Sequence, residues 1–95
     1  MSAHLVAVLG RGVVGADEPV VTVDDLGFAR GDGCFDSARV LTDTDGAARV
    51  VNLSEHLDRL DAAAAALDIA GPTRDAWEAL VAEALVAWHG SGEAV

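Results

Sequence analysis

The chain has no lysine and no tyrosine, and it has a single cysteine, Cys34, in 95 residues. A lone cysteine excludes an internal disulfide and fits a reducing compartment. Without lysine, no side chain here can hold a carbonyl compound as a Schiff base. Aromatic residues make up 4% of the sequence. The core must therefore be built from valine, leucine and alanine.

Positive charge is also scarce, since six basic residues face 16 acidic ones and the net charge is −10. This balance argues against a nucleic-acid partner, because phosphate backbones bind basic surfaces. No apolar run approaches membrane-spanning length, and the first residues lack the charged-then-apolar order of a signal peptide. We expect a cytoplasmic protein that binds neither nucleic acid nor membrane.

Hydrophobic runs and turn residues predict a single α+β domain. Apolar runs at residues 4–9 and 20–23, separated by glycine-rich turn sequence, predict a first antiparallel hairpin. Asp45-Gly46 between the apolar runs 40–41 and 49–51 predicts a second. Two β-hairpins packed against two helices would occupy residues 1–89. Residues 90–95 are expected to carry no element and to begin an interdomain linker.

Two helices are predicted behind these hairpins. Ser54 is the expected N-cap of the first, and Glu55 lies in the first turn, where the helix dipole favours a carboxylate. Leucines and alanines recur at helical spacing until Gly71-Pro72 breaks the pattern. Thr73 is predicted to cap the second helix, whose apolar stripe includes Trp77 and Trp88.

Three of the six arginines fall in two short segments, residues 30–40 and 56–60. An extended strand after the glycine-rich turn at 30–33 would place Phe35, Ser37 and Arg39 on one face, because strand side chains alternate. Such a face could hold a carboxylate-bearing molecule. The alternative, which spacing alone favours, is an ordinary hairpin with one buried aromatic and an arginine in a surface ion pair.

The second segment leaves two interpretations of Arg59. It either forms a helical pair with Glu55, worth a few tenths of a kcal/mol, or donates to a phosphate. His56 is expected to pack against the hairpin or bind a backbone carbonyl, because no Cys/His/Asp cluster at metal-like spacing accompanies it. No metal site is predicted, and Cys34 is expected to be a small buried apolar residue.

Several motifs together resemble the N-terminal domain of fold-type IV pyridoxal phosphate enzymes. They agree in order and spacing over roughly residues 5–70, and they comprise Asp24–Phe28, Arg30–Phe35, Ala38–Val40, Leu53 and His56–Leu60. The group contains branched-chain and D-amino acid aminotransferases and aminodeoxychorismate lyase. The residues around Cys34 and Ser37 are most similar to those of the lyase. One departure is Gly10-Arg11-Gly12, which stands in place of an Asn-Gly turn.

The resemblance implies roles for individual residues. Arg59 matches the arginine that binds the phosphate of pyridoxal 5'-phosphate, and Phe35, Ser37 and Arg39 match positions facing the substrate. Arg30, which replaces a pocket tyrosine of many aminotransferases, is counted with the substrate-binding residues. The family carries its cofactor on a lysine of a larger C-terminal domain and forms homodimers. No catalytic residue is therefore expected in this chain.

The function implied by the resemblance is that of the N-terminal domain of an aminodeoxychorismate lyase. This enzyme converts 4-amino-4-deoxychorismate into 4-aminobenzoate and pyruvate for folate synthesis. The chain alone would be inactive and would need a lysine-bearing C-terminal domain. That domain is expected to be the larger of the two. Two alternatives remain: a class-IV branched-chain or D-amino acid aminotransferase, and a truncated interaction module without catalytic activity.

Overall fold

The computed structural model describes residues 4–90 and 92–95. Within them, short strands form two small antiparallel sheets accompanied by helices, which confirms the α+β class. The elements, in chain order, are β1 (Val6–Val8), β2 (Gly12–Val14), α1 (Leu26–Arg30), β3 (Val40–Thr42), β4 (Ala48–Val50), α2 (Leu53–Ala66), α3 (Arg74–Ala87) and β5 (Gly92–Ala94). No helix in the described ranges has both the length and the apolar character needed to cross a membrane.

The first sheet is the hairpin of β1 and β2, with Val6 opposite Val14. Its turn is tight because Gly10 and Gly12 adopt φ values of 81° and 76°, a region that glycine enters at little cost. The predicted pairing with residues 20–23 is therefore wrong. The glycines close the hairpin early, and residues 20–23 lie outside any strand.

The second sheet has the order β4-β3-β5. The β3–β4 hairpin closes as Asp45-Gly46 predicted, and Asp43 Oδ1 accepts a hydrogen bond of 3.0 Å from the amide of Ala47. On the other edge, β5 pairs antiparallel with β3, with Leu41 opposite Glu93. The expectation that residues 90–95 carry no element is wrong, because residues 92–94 pair with the free backbone groups of the β3 edge. Their assignment to a linker stays a prediction.

The long helices begin in different ways. Thr73 caps α3 as predicted, since its Oγ1 accepts from the amide of Ala76 at 3.2 Å. The prediction for Ser54 is wrong: α2 begins at Leu53, and its N-cap is Asn52, which adopts a left-handed φ of 56°. Asparagine tolerates this conformation, so the chain turns into the helix before it reaches Ser54. Glu55 does lie in the first turn.

The core is thin. Leu57, with 5% of its surface exposed, is the one side chain classed as buried in the described ranges. Helix α3 packs against β1, β2 and β4. An apolar cavity of about 470 Å³ lies between α3 and the second sheet, lined in part by Val50, Leu85 and Trp88. The described part of the core is therefore less closely packed than an ordinary protein interior.

The segment between the two sheets is mostly irregular. Helix α1 is capped by Asp25, whose Oδ1 accepts from the amide of Gly27 at 2.8 Å. The predicted strand through Phe35, Ser37 and Arg39 is wrong, because regular pairing begins only at Val40. Arg39 is held at the end of the sheet by the amide of Val51, which donates to its carbonyl at 2.8 Å.

Candidate anion-binding site

Asp36 joins the two arginine-containing segments. Arg59 Nη2 donates to Asp36 Oδ1 at 2.9 Å and to Oδ2 at 3.0 Å, while Arg59 Nε lies 3.2 Å from Oδ2. His56 Nδ1 lies 2.9 Å from the same Oδ2. The Asp36 side chain is 23% exposed and that of Arg59 is 64% exposed. The carboxylate is therefore partly enclosed, while the guanidinium remains open to solvent.

Local structure explains this meeting. His56 and Arg59 are three residues apart on α2, so they project from the same face of the helix. Asp36 lies four residues before β3, and its own Oδ1 accepts from the amide of Ser37 at 3.0 Å. The β3–β4 hairpin then returns the chain to the start of α2, which brings Asp36 to His56 and Arg59.

The cluster stabilises the ionised form of Asp36. Its pKa is lowered from 3.8, chiefly by the hydrogen bond with His56 and next by that with Arg59. Partial burial opposes this lowering of the pKa, and the amide of Ser37 adds to it. The dominant effect is hydrogen bonding to the charged carboxylate, which favours that form over the neutral acid.

His56 has two possible arrangements within the cluster. Its Nδ1 lies 2.9 Å from Asp36 and 2.8 Å from Arg59 Nη2. One ring nitrogen either donates a proton or accepts one, so it cannot form both hydrogen bonds at once. With a proton on Nδ1, His56 donates to Asp36; with Nδ1 unprotonated, it accepts from Arg59. The expected bond to a backbone carbonyl is wrong, because Nδ1 contacts the side chains of Asp36 and Arg59. The alternative, packing of His56 against the hairpin, stays a prediction.

Arg59 faces Asp36 instead of its helical neighbour Glu55, so of the two interpretations of Arg59 the helical pair is wrong. Its Nη1 atom makes no hydrogen bond within residues 4–90 and 92–95. A guanidinium has five N–H donors, and Asp36 engages only those on Nε and Nη2. The arrangement therefore orients Arg59 and leaves donors for a further anion.

A second feature lies beside the cluster. A shallow cavity of about 370 Å³ is lined by Ser37, Arg39, Asn52 and His56, among others. Arg39 is 61% exposed and forms an ion pair with Glu93 of β5. Two of the predicted substrate-binding residues, Ser37 and Arg39, thus share one cavity with the histidine that contacts Asp36.

The other two predicted substrate-binding residues lie elsewhere. Phe35 is 88% exposed and lines a different cavity of about 520 Å³, together with Cys34 and Trp77. Arg30 is exposed, and its Nε lies 3.8 Å from Asp32. Cys34 is half-buried rather than buried. Within the part of the chain described here, Phe35 and Arg30 do not converge with Arg39.

Sequence reasoning missed Asp36, Asn52 and Glu93. A usable signal existed for Asp36, because it is an acid within the first arginine segment. No comparable signal marked Glu93, whose contact with Arg39 depends on strand pairing across the sheet. The described residues contain no group of three or more histidine, cysteine or acidic side chains that could hold a metal ion.

Comparison with protein-family models, with curated proteins and with solved structures finds no match to this chain.

Proposed function

We propose that this chain is the small N-terminal domain of a fold-type IV pyridoxal phosphate enzyme, namely a cytoplasmic aminodeoxychorismate lyase. One observation carries the proposal: the Asp36–Arg59 pair joins residues 30–40 to residues 56–60. These two segments carry most of the motifs that resemble the family. In that family they serve a single site, where one segment binds the cofactor phosphate and the other faces the substrate.

The residues present fit a phosphate contact. Arg59 keeps donors on Nη1 that no described residue engages, and 64% of its side chain is exposed. Asp36 holds the guanidinium from one side, which limits the rotamer entropy lost when a second anion binds. Pyridoxal phosphate would supply an electron sink for the substrate carbanion. The chain has no lysine, so covalent attachment and proton transfer belong to the proposed C-terminal domain.

The substrate side of the proposal rests on Arg39 and Ser37. A guanidinium and a hydroxyl on one cavity suit a carboxylate, because both donate hydrogen bonds to its oxygens. Phe35 and Arg30 would complete the pocket only after a second surface covers them. Such a surface would come from the C-terminal domain or from the second subunit of a homodimer.

The product formed by the complete protein tests the activity. Given pyridoxal phosphate and 4-amino-4-deoxychorismate, with no keto acid, it should release equal amounts of 4-aminobenzoate and pyruvate over many turnovers. Conversion of the cofactor to its amine form by a branched-chain or D-amino acid, without 4-aminobenzoate, would assign the protein to the aminotransferases. These two outcomes differ because only transamination requires an amino-group acceptor.

A non-catalytic interaction module is the second candidate. It is favoured by the exposure of large apolar side chains in residues 20–35, among them Val23, Phe28 and Phe35. Exposed apolar side chains of this size would mark contact with another protein surface if they form one patch. Absence of both activities, with dimerisation that is lost in Phe35→Ser, would select this candidate over the enzyme.

A further inference from the structure

We propose that Glu93 is an internal ligand of Arg39 that competes with an external carboxylate for the guanidinium. The inference concerns regulation of the proposed substrate site. It rests on the proposed function in one respect, which is the assignment of Arg39 to a carboxylate-binding pocket. The contact itself is a feature of the fold, since β5 carries Glu93 to the end of β3.

Strand register explains why the two side chains meet. Val40 lies opposite Ala94 and Leu41 opposite Glu93. Arg39 lies one residue before the first pair, and extending the register by one position would set it across from Val95, with Glu93 as its diagonal neighbour on the same face. Diagonal neighbours are about 7–8 Å apart at the backbone, a distance that long side chains can span. Arginine and glutamate both have that reach.

The chemistry of the surrounding cavity suits the same class of ligand. Its polar lining comprises the hydroxyl of Ser37, the amide of Asn52, the ring of His56 and the guanidinium of Arg39. All four can donate hydrogen bonds, and the one permanent charge among them is positive. Val95, which follows β5, lines the cavity too. The β5 region therefore supplies both the Glu93 carboxylate that pairs with Arg39 and part of the cavity wall.

The strength of the Arg39–Glu93 contact decides whether an external carboxylate is excluded from Arg39 or can compete with Glu93 for it. Arg39 and Glu93 are each more than half exposed, and exposed ion pairs are worth about 0.2–1 kcal/mol because water screens them. Strand β5 is three residues long and lies at the edge of its sheet. Glu93 therefore acts as a weak competitor that a small carboxylate can displace.

A titration of the complete protein, without cofactor, with sodium malonate tests this competition. Backbone amide shifts of Arg39 and His56 are followed by ¹⁵N NMR at constant ionic strength, for the wild type and for Glu93→Gln. The substitution removes the competing charge and keeps the side-chain shape. Malonate affinity should rise about 1.4- to 5-fold, the factor that corresponds to an exposed ion pair.

Two controls make the result specific. Glu83→Gln removes an equal charge from an exposed position on α3 and should leave the affinity at the wild-type value. Arg39→Gln should abolish the shifts at Arg39 and His56, with or without Glu93→Gln. If Glu93→Gln and Glu83→Gln raise the malonate affinity equally, the increase is due to net charge alone, and the proposal is overturned. Unchanged affinity in Glu93→Gln, or no shift at Arg39 in any variant, would overturn it as well.

The test is independent of the proposed lyase activity, because it uses neither cofactor nor turnover. If the complete protein forms no 4-aminobenzoate while Glu93→Gln still tightens malonate binding, the proposed function fails and the internal-ligand inference stands. If the lyase is active and Glu93→Gln changes nothing, the inference alone fails.

Discussion

His56 Nδ1 and Asp36 Oδ2 lie 2.9 Å apart, although the two residues are separated by twenty positions in the sequence. The same carboxylate also accepts hydrogen bonds from Arg59. Asp36 is therefore the residue on which the geometry of the candidate site depends. It neutralises part of the positive charge of Arg59 and fixes the direction of the guanidinium.

Protonation of Asp36 should destabilise the fold. Its pKa is lowered in the folded protein, so its contribution is present above the ordinary value of 3.8 and is lost as the pH falls through the lower, folded-state pKa. Urea unfolding between pH 2 and 6 should show a loss of stability on acidification that is smaller in Asp36→Asn. Identical pH dependence in the two proteins would contradict the stabilising role of the cluster.

Truncation of Leu57 should be costly, because it is the most buried side chain described. Leu57→Ala is expected to lower the free energy of unfolding by about 2–5 kcal/mol, a large part of the stability of a small domain. Leu67→Ala provides the matched control, since Leu67 is 54% exposed and should lose well under half as much. If urea denaturation shows the same loss of unfolding free energy in both variants, α2 does not bury the face that carries Leu57.

The two helix starts should respond differently to the loss of a hydroxyl. Thr73 Oγ1 caps α3, so Thr73→Ala should cost about 0.5–2 kcal/mol. Ser54 lies within the first turn of α2 and its side chain caps nothing there, so Ser54→Ala should change the stability by less than about 0.5 kcal/mol. Thermal or urea unfolding of both variants measures the difference. A larger effect at Ser54 would restore it as the cap.

Arg59 and Arg39 should separate cofactor binding from substrate binding in the complete enzyme. Arg59→Ala should weaken pyridoxal phosphate retention by about 1.5–3 kcal/mol, the range for a hydrogen bond to a charged group. Arg39→Ala should instead raise the KM for the substrate or lower turnover. Cofactor titration followed by steady-state kinetics checks both. If the cofactor affinity is unchanged in Arg59→Ala, the role of Arg59 is limited to its structural ion pair with Asp36.

Features that depend on a few neighbouring residues were predictable from the sequence. Asp45-Gly46 adopts its turn because glycine enters the φ > 0 region, and Thr73 caps α3 because its hydroxyl reaches an amide three residues on. Both signals act within a single turn. The first hairpin was only half predictable, since several glycines offered a turn and nothing local showed that Gly10 and Gly12 would close it early.

Tertiary structure decided the features that join distant residues. Asp36 meets Arg59 across 23 positions, and Glu93 meets Arg39 across 54. The amino-acid sequence determined that few cations would be present and that arginine would be the only one with a permanent charge. It could not determine which acid each arginine would face, because 16 acids were available. Strand register and helix position, both set by long-range packing, made that choice.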